Sequence, residues 1–286
     1  DLNAYTTKEY TCLHASFLNP YLGRALDLFE DVLFHSVFPE DELEKEKSVI
    51  LDEMASYRDS PEESIMDDFE DLMFDGTGLG HNILGLEEDL QHLQREDVLA
   101  FIRHTYDTEQ IVVAIAGNYT PSQIERWSKK IFGRIPSNKT AREPEIIKPT
   151  RALDNIVKKP IHQAHYMLGG QTFGYFDERK TGMLLLNNML GGMGMSSILN
   201  LGVREKYGIA YTIESNFTMY KDTGHINIYL GTDEDKLPKA VRLVHKELDK
   251  LRQQRFTETQ LQRAKQKFKG QIALAEENRM SMIIAE

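Results

Sequence analysis

Cysteine is almost absent: Cys12 is the only one in 286 residues. That excludes an internal disulfide and a cysteine-rich metal site. A lone thiol of this kind packs as a small hydrophobe. Apolar runs of membrane-spanning length are absent too, which argues against a helical membrane anchor. No secretory leader opens the sequence, so a soluble chain is expected, with a cytoplasmic location favoured. Basic residues are few beside acidic ones, 34 against 45, for a net charge of −11. Nucleic acid and anionic membranes are therefore poor partners, while basic or extended peptides suit the charge. A phosphate-binding loop is missing as well. Gly191-Gly192-Met193-Gly194 has no Lys-Ser/Thr after it, so it reads as a joint between two helices.

What is present suits a globular protein of two ordinary domains. The stretch from Glu40 to Tyr57 is the most informative. Leu43, Ile50, Met54 and Tyr57 recur at helical spacing, which predicts an amphipathic helix. Pro39 and the acids that follow suit its N-terminus. Glu46 and Glu53 are seven residues apart, nearly two full turns, so both carboxylates leave one face. Two acids stacked beside Val49 and Ile50 repel each other unless a cation or a donor is near.

The rest of the chain alternates strands and helices. Asp1 to Phe17 reads as one long strand rich in Thr and aromatics. Asn19-Pro20 predicts a capped helix start, and Ser60-Pro61 followed by Glu63 predicts a capping box. Leu86 to Tyr106 is mainly helical, Ile111 to Ala116 is a short buried strand, and Thr120 with Gln123 caps another helix. Proline and mixed charge break the pattern around 141–155, which reads as a linker. Ile156 to Phe173 is a strand. Helices over Arg179 to Leu190 and Ser196 to Tyr207 follow. A hairpin from Ile209 to Gly231 comes next, then a helix from Leu237 to Gln254. A last helix is capped by Thr257 and Gln260 and continues toward the chain end.

The two halves echo each other. Ala4-Tyr5-Thr6 matches Ala210-Tyr211-Thr212, and Phe38 with Leu43 matches Phe256 with Leu261. In that register Glu46 falls on Ala264 and Glu53 on Gln271. A residue needed for the shared fold should occur in both copies. These two acids occur in one, which favours chemistry over architecture. The second copy also has strand and helix before Ala210 that the first has no room for before Ala4. An upstream strand and helix are therefore expected to be missing.

Several segments carry a family resemblance. They are Leu2-Asn3-Ala4-Tyr5-Thr6, the run from Glu46 to Glu53, His81-Asn82-Ile83-Leu84-Gly85, Ile111 to Gly117, Leu190-Gly191-Gly192, and the run from Arg204 to Tyr211. In this order and spacing the chain resembles the M16 metallopeptidases, which include insulysin, pitrilysin and the mitochondrial processing peptidases. The resemblance implies an α+β fold of two pseudo-symmetric M16-type domains, with antiparallel-rich sheets faced by helices and both domains truncated. Residues 1–140 would form the catalytic-type domain without its first strand and metal-binding helix. Residues 141–155 would be the linker, and 156–286 an inactive-type domain cut at its C-terminus.

The resemblance also implies a zinc endopeptidase. Its signature is an inverted HxxEH, two His ligands and a Glu base on one helix, with a distant Glu as third ligand. Glu53 sits at that third ligand, and Glu46 at the second acid that steadies the site. Asn3 and Ala4 match the edge strand that pairs with substrate. Arg204 and Tyr211 match a substrate-contacting pair with a role in catalysis that reaches the substrate carbonyl and the tetrahedral intermediate, where both are apt donors. The departure is that none of the nine histidines stands in an HxxEH. The implied picture is a parent zinc endopeptidase acting on peptides, with this chain alone inactive and metal-free. The alternative is a non-catalytic M16 partner subunit or a peptide-binding module, and a homo- or hetero-dimer is compatible with either.

Overall fold

The computed structural model describes residues 1–140, 147–148, 151–275, 277 and 283. Part of the expected linker and the far end of the last helix lie outside them. In chain order the elements are β1 (Leu2–Thr6), β2 (Thr11–Ala15), α1 (Leu22–Phe34), α2 (Glu40–Arg58), α3 (Pro61–Met73), α4 (Glu87–His92), α5 (Arg95–Thr105), α6 (Pro121–Ile131), β3 (Ala164–Phe173), α7 (Lys180–Leu190), β4 (Thr212–Met219), β5 (Thr223–Thr232), α8 (Leu237–Gln253) and α9 (Glu258–Ala275). The fold is α+β with antiparallel sheets. It groups into two compact units. One holds Asp1–Ala55, Ile83–Pro144 and Glu276–Glu286, the other Ser56–Asn82 and Glu145–Ala275.

In the first unit, the single long strand expected over Asp1 to Phe17 is instead a hairpin. β1 and β2 pair antiparallel with Tyr5 opposite Cys12. The turn forms because the Thr7 hydroxyl accepts the backbone N–H of Tyr10 at 3.1 Å, while Thr7 N–H reaches Tyr10 O at 2.8 Å. A threonine that folds the backbone onto itself competes with strand continuation. The helix start expected at Asn19 also moves. Residues Asn19–Tyr21 form a short 3-10 turn, and α1 begins at Leu22 without a side-chain cap.

Leu22 and Leu26 of α1 pack against Ile131, with Ile115, Tyr119 and Trp127 around them. A Cβ on Gly23 would lie 2.4 Å from the Trp127 ring, so glycine is what lets α6 approach. The strand expected at Ile111 to Ala116 does not form: no ladder holds these residues, and Val112 is 88% exposed. Its apolar run has the composition of a buried strand, but a strand needs a neighbour to pair with. Thr120 and Gln123 do form the expected capping box on α6.

The second unit is built on a three-stranded sheet, ordered β3-β5-β4. Leu230 lies opposite Tyr166 on one side and Ile213 on the other. With Leu190, Leu199, Val203, Ile228, Ala240 and Val244 it forms the core of the unit. α3 packs on this sheet through Phe69 and Glu70. The Phe69 ring lies so close to β3 that a Cβ on Gly169 would meet it at 2.6 Å. Glu70 Oε1 accepts the Tyr220 hydroxyl at 3.0 Å and lies 2.8 Å from Nε2 of buried His225. The capping box expected from Ser60 is not made; Ser60 stands at the N-cap of α3 without a side-chain bond.

Leu230 is fully buried in this core. Leu230→Ala is expected to destabilise the unit by about 3 kcal/mol, through lost transfer energy and the cavity left behind. Urea unfolding measures it, and a loss below about 1 kcal/mol would show a core able to collapse around the gap.

Candidate functional site

The first candidate group lies on α2. Its inward stripe is buried Lys47 and Met54 with half-buried Leu43 and Ile50. Tyr57, expected in that stripe, is exposed at the helix end. Lys47 was not expected there. It is 6% exposed, with its ammonium paired to Glu44 at 2.6 Å and 3.5 Å from Gln91 O. A long lysine stem can fill an apolar stripe if its head finds oxygen partners.

Glu46 and Glu53 flank that stripe and both are exposed. Neither forms a side-chain hydrogen bond or ion pair among the described residues. Their counterpart in the second half behaves differently. Gln271 accepts from Asn188 Nδ2 at 2.8 Å and donates to Met193 O at 3.2 Å, so it holds the glycine-rich joint to α9. Where Gln271 has a structural task, Glu53 has none in these residues.

Taken alone, this donor set does not fit zinc. Such a site needs three protein ligands of nitrogen, sulfur or carboxylate oxygen. Among the described residues no group of three or more His, Cys, Asp or Glu could hold a metal ion. His165 is bonded to the Tyr229 hydroxyl at 2.8 Å, and burial pushes its imidazole below the usual range.

Asn3 and Ala4 lie mid-strand in β1, opposite His14 and Leu13 of β2. In the two-stranded sheet β1 has one neighbour, so among the described residues its other edge is unpaired. The Asn3 side chain accepts the N–H of Ala4 at 2.8 Å.

The second candidate group lies in the other unit. Asn200–Glu205 forms a π-helical segment with half-buried Arg204 in its last turn. π-turns often mark functional positions. Buried Asn200 fixes its start, with Nδ2 donating to Ser197 Oγ at 2.9 Å and Ile213 O at 3.2 Å. The Arg204 guanidinium makes no hydrogen bond or ion pair among the described residues. Tyr211 is 54% exposed, and its hydroxyl donates to Asp233 Oδ1 at 2.8 Å. No hydrogen bond or ring contact joins Arg204 to Tyr211 among the described residues.

Asp233 and Lys236 escaped the sequence reading. The bond to Asp233, and its charge, raise the phenol of Tyr211 above its ordinary range. Lys236, bonded to the other carboxylate oxygen at 2.5 Å, is the larger influence holding Asp233 below its own.

Comparison with known proteins identifies the family and the fold. The model for insulinase, peptidase family M16, matches residues 1–87, and that for the peptidase M16 inactive domain matches 92–268. The uncharacterized zinc protease YmxG of Bacillus subtilis (strain 168) is 34% identical over 281 residues, covering 97% of this chain and 67% of that protein. An uncharacterized zinc protease of Streptomyces coelicolor is 31% identical, covering 97% and 62%. The chain thus spans about two thirds of the length of these relatives. A Pseudomonas fluorescens structure described as a peptidase M16 inactive domain superimposes with a TM-score of 0.86 at 22% identity, over 94% of this chain and 66% of that one. A protease from Helicobacter pylori gives 0.84 at 20%, over 99% and 70%. The chain belongs to the M16 peptidase family.

Proposed function

We propose that the full-length protein is a zinc-dependent endopeptidase acting on extended peptides. In this reading Glu53 is one zinc ligand and Glu46 steadies it. The two histidine ligands and the general base come from outside these 286 residues. The observation that carries the reading is the pair of exposed carboxylates on one face of α2 that have no partner among the described residues. The second copy lacks both acids, as expected if they serve a metal rather than the shared fold. The names of the relatives, zinc proteases, support the same class.

The remaining residues act on substrate. The open edge of β1 at Asn3 and Ala4 can pair with an extended peptide, which would take the Ala4 N–H over from the Asn3 side chain. Arg204, with no partner of its own among the described residues, can bind a peptide carbonyl by charge-assisted donation. The net charge of −11 favours encounter with basic peptides.

Incubating the full-length protein with internally quenched peptides tests the reading. Hydrolysis that a chelator abolishes and zinc restores is expected. An intact, folded protein that binds peptides without cleaving them would instead be a non-catalytic partner subunit. Hydrolysis indifferent to chelation would exclude the zinc role.

A further inference from the structure

Tyr211 is better anchored than an exposed tyrosine needs to be. Its backbone N–H donates to Gly231 O at 2.9 Å. Just before it, Ile209 O accepts the hydroxyl of buried Thr232. Ile209 and Ala210 are themselves buried, so the segment is pinned along the end of β5. Asp233 is the first residue beyond that strand. Its backbone oxygen accepts from Lys236 N at 3.0 Å and Leu237 N at 3.1 Å, which closes the turn into α8. Its carboxylate then takes the Tyr211 hydroxyl on one oxygen and the Lys236 ammonium on the other.

This arrangement fixes where the phenol proton goes. A phenol has one proton and two acceptor positions. A carboxylate at 2.8 Å is a stronger acceptor than a neutral peptide carbonyl, so the proton stays on the Asp233 side. The oxygen lone pairs are left for whatever approaches from solvent. The bond to Asp233 also leaves the ring less rotamer freedom to lose when a ligand arrives.

We propose that Asp233 is a positioning residue for Tyr211, holding its ring and taking its proton so that the phenol oxygen faces substrate as an acceptor for a peptide N–H. Lys236 braces Asp233 in turn. The inference rests on the reading that Tyr211 meets peptide. It adds a residue to that contact, and it makes Tyr211 an acceptor where the resemblance implies a donor. The charged groups facing the phenol are Asp233, Lys236 and Asp235.

The experiment measures binding of a short, unstructured, positively charged, fluorescein-labelled peptide by anisotropy, with thermal melting as a check on folding. Tyr211→Phe should weaken binding. Asp233→Ala should weaken it about 3- to 10-fold, the scale of one immobilised side chain, with no further loss when added to Tyr211→Phe. Asp233→Asn keeps an oxygen acceptor without the charge, and should restore most of the binding. NMR of 13C-labelled tyrosine supplies a readout that general loosening would not move: in Asp233→Asn, Tyr211 should ionise at lower pH. If Tyr211→Phe binds as the parent does, the peptide contact itself fails and the inference with it. If Tyr211→Phe weakens binding while Asp233→Ala does not, or the two losses add independently, the contact stands and the role of Asp233 is overturned. An unchanged Tyr211 titration in Asp233→Asn overturns it as well, even if Asp233→Ala does not fold.

Discussion

Glu53→Gln in the full-length protein is expected to lower zinc affinity and peptide hydrolysis by more than about 100-fold. Residues that only support a metal ligand are worth about 10- to 100-fold, and a ligand should exceed them. Glutamine keeps the shape of the side chain but gives up the negative charge that balances a dication. Because Glu53 is exposed and makes no bond to other described residues, the substitution should leave stability within about 0.5 kcal/mol of the parent. Loss of zinc without loss of fold is therefore the signature. Glu46→Gln should fall in the supporting range, about 10- to 100-fold. Equal losses at both positions, or a larger one at Glu46, would reverse the two roles. Zinc content by elemental analysis, read beside a melting curve, decides between them.

Arg204→Ala is expected to lower kcat/KM of the full-length protein by about 100-fold, the scale of one lost donor to developing charge. The guanidinium has no internal partner among the described residues, so its loss leaves no buried charge behind. Its backbone position is set by the buried residues Asn200 and Val203 on the same π-helical turn, and these remain. Arg204→Lys should recover only part of the loss, since an ammonium cannot reproduce the planar fork of a guanidinium. A variant as active as the parent would remove Arg204 from the substrate-binding set.

Features decided by neighbouring residues were legible in the sequence. The helix carrying Glu46 and Glu53 follows from local periodicity, and its observed range, Glu40–Arg58, agrees. Thr120 with Gln123 and Thr257 with Gln260 form their reciprocal caps. Features decided by distant partners were not legible. The run at Ile111 to Ala116 has the residues of a strand, and the missing factor is a paired neighbour. A local feature escaped as well: the break between β1 and β2 depends on one hydroxyl, Thr7, folding back on Tyr10. Lys47 reads as surface charge until Gln91 comes near.

At the second candidate group, Tyr211 and Asp233 are 22 residues apart and meet only because β4 and β5 pair in one particular register. Similarly, Glu70 reaches His225 across 155 residues, which no local pattern announces. Those contacts group Ser56–Asn82 with Glu145–Ala275, whereas the sequence suggested a division near 141–155.

The central claim is that Glu53 is one ligand of a zinc site whose other ligands lie outside these 286 residues. Elemental analysis of the purified 286-residue chain, dialysed after exposure to zinc, tests it most directly. A single carboxylate holds zinc weakly in water, and two acids on one helix face make a hard oxygen site that zinc disfavours. The account predicts far less than one equivalent of retained zinc. One equivalent, coordinated by Glu53 and any of the nine histidines, would contradict it.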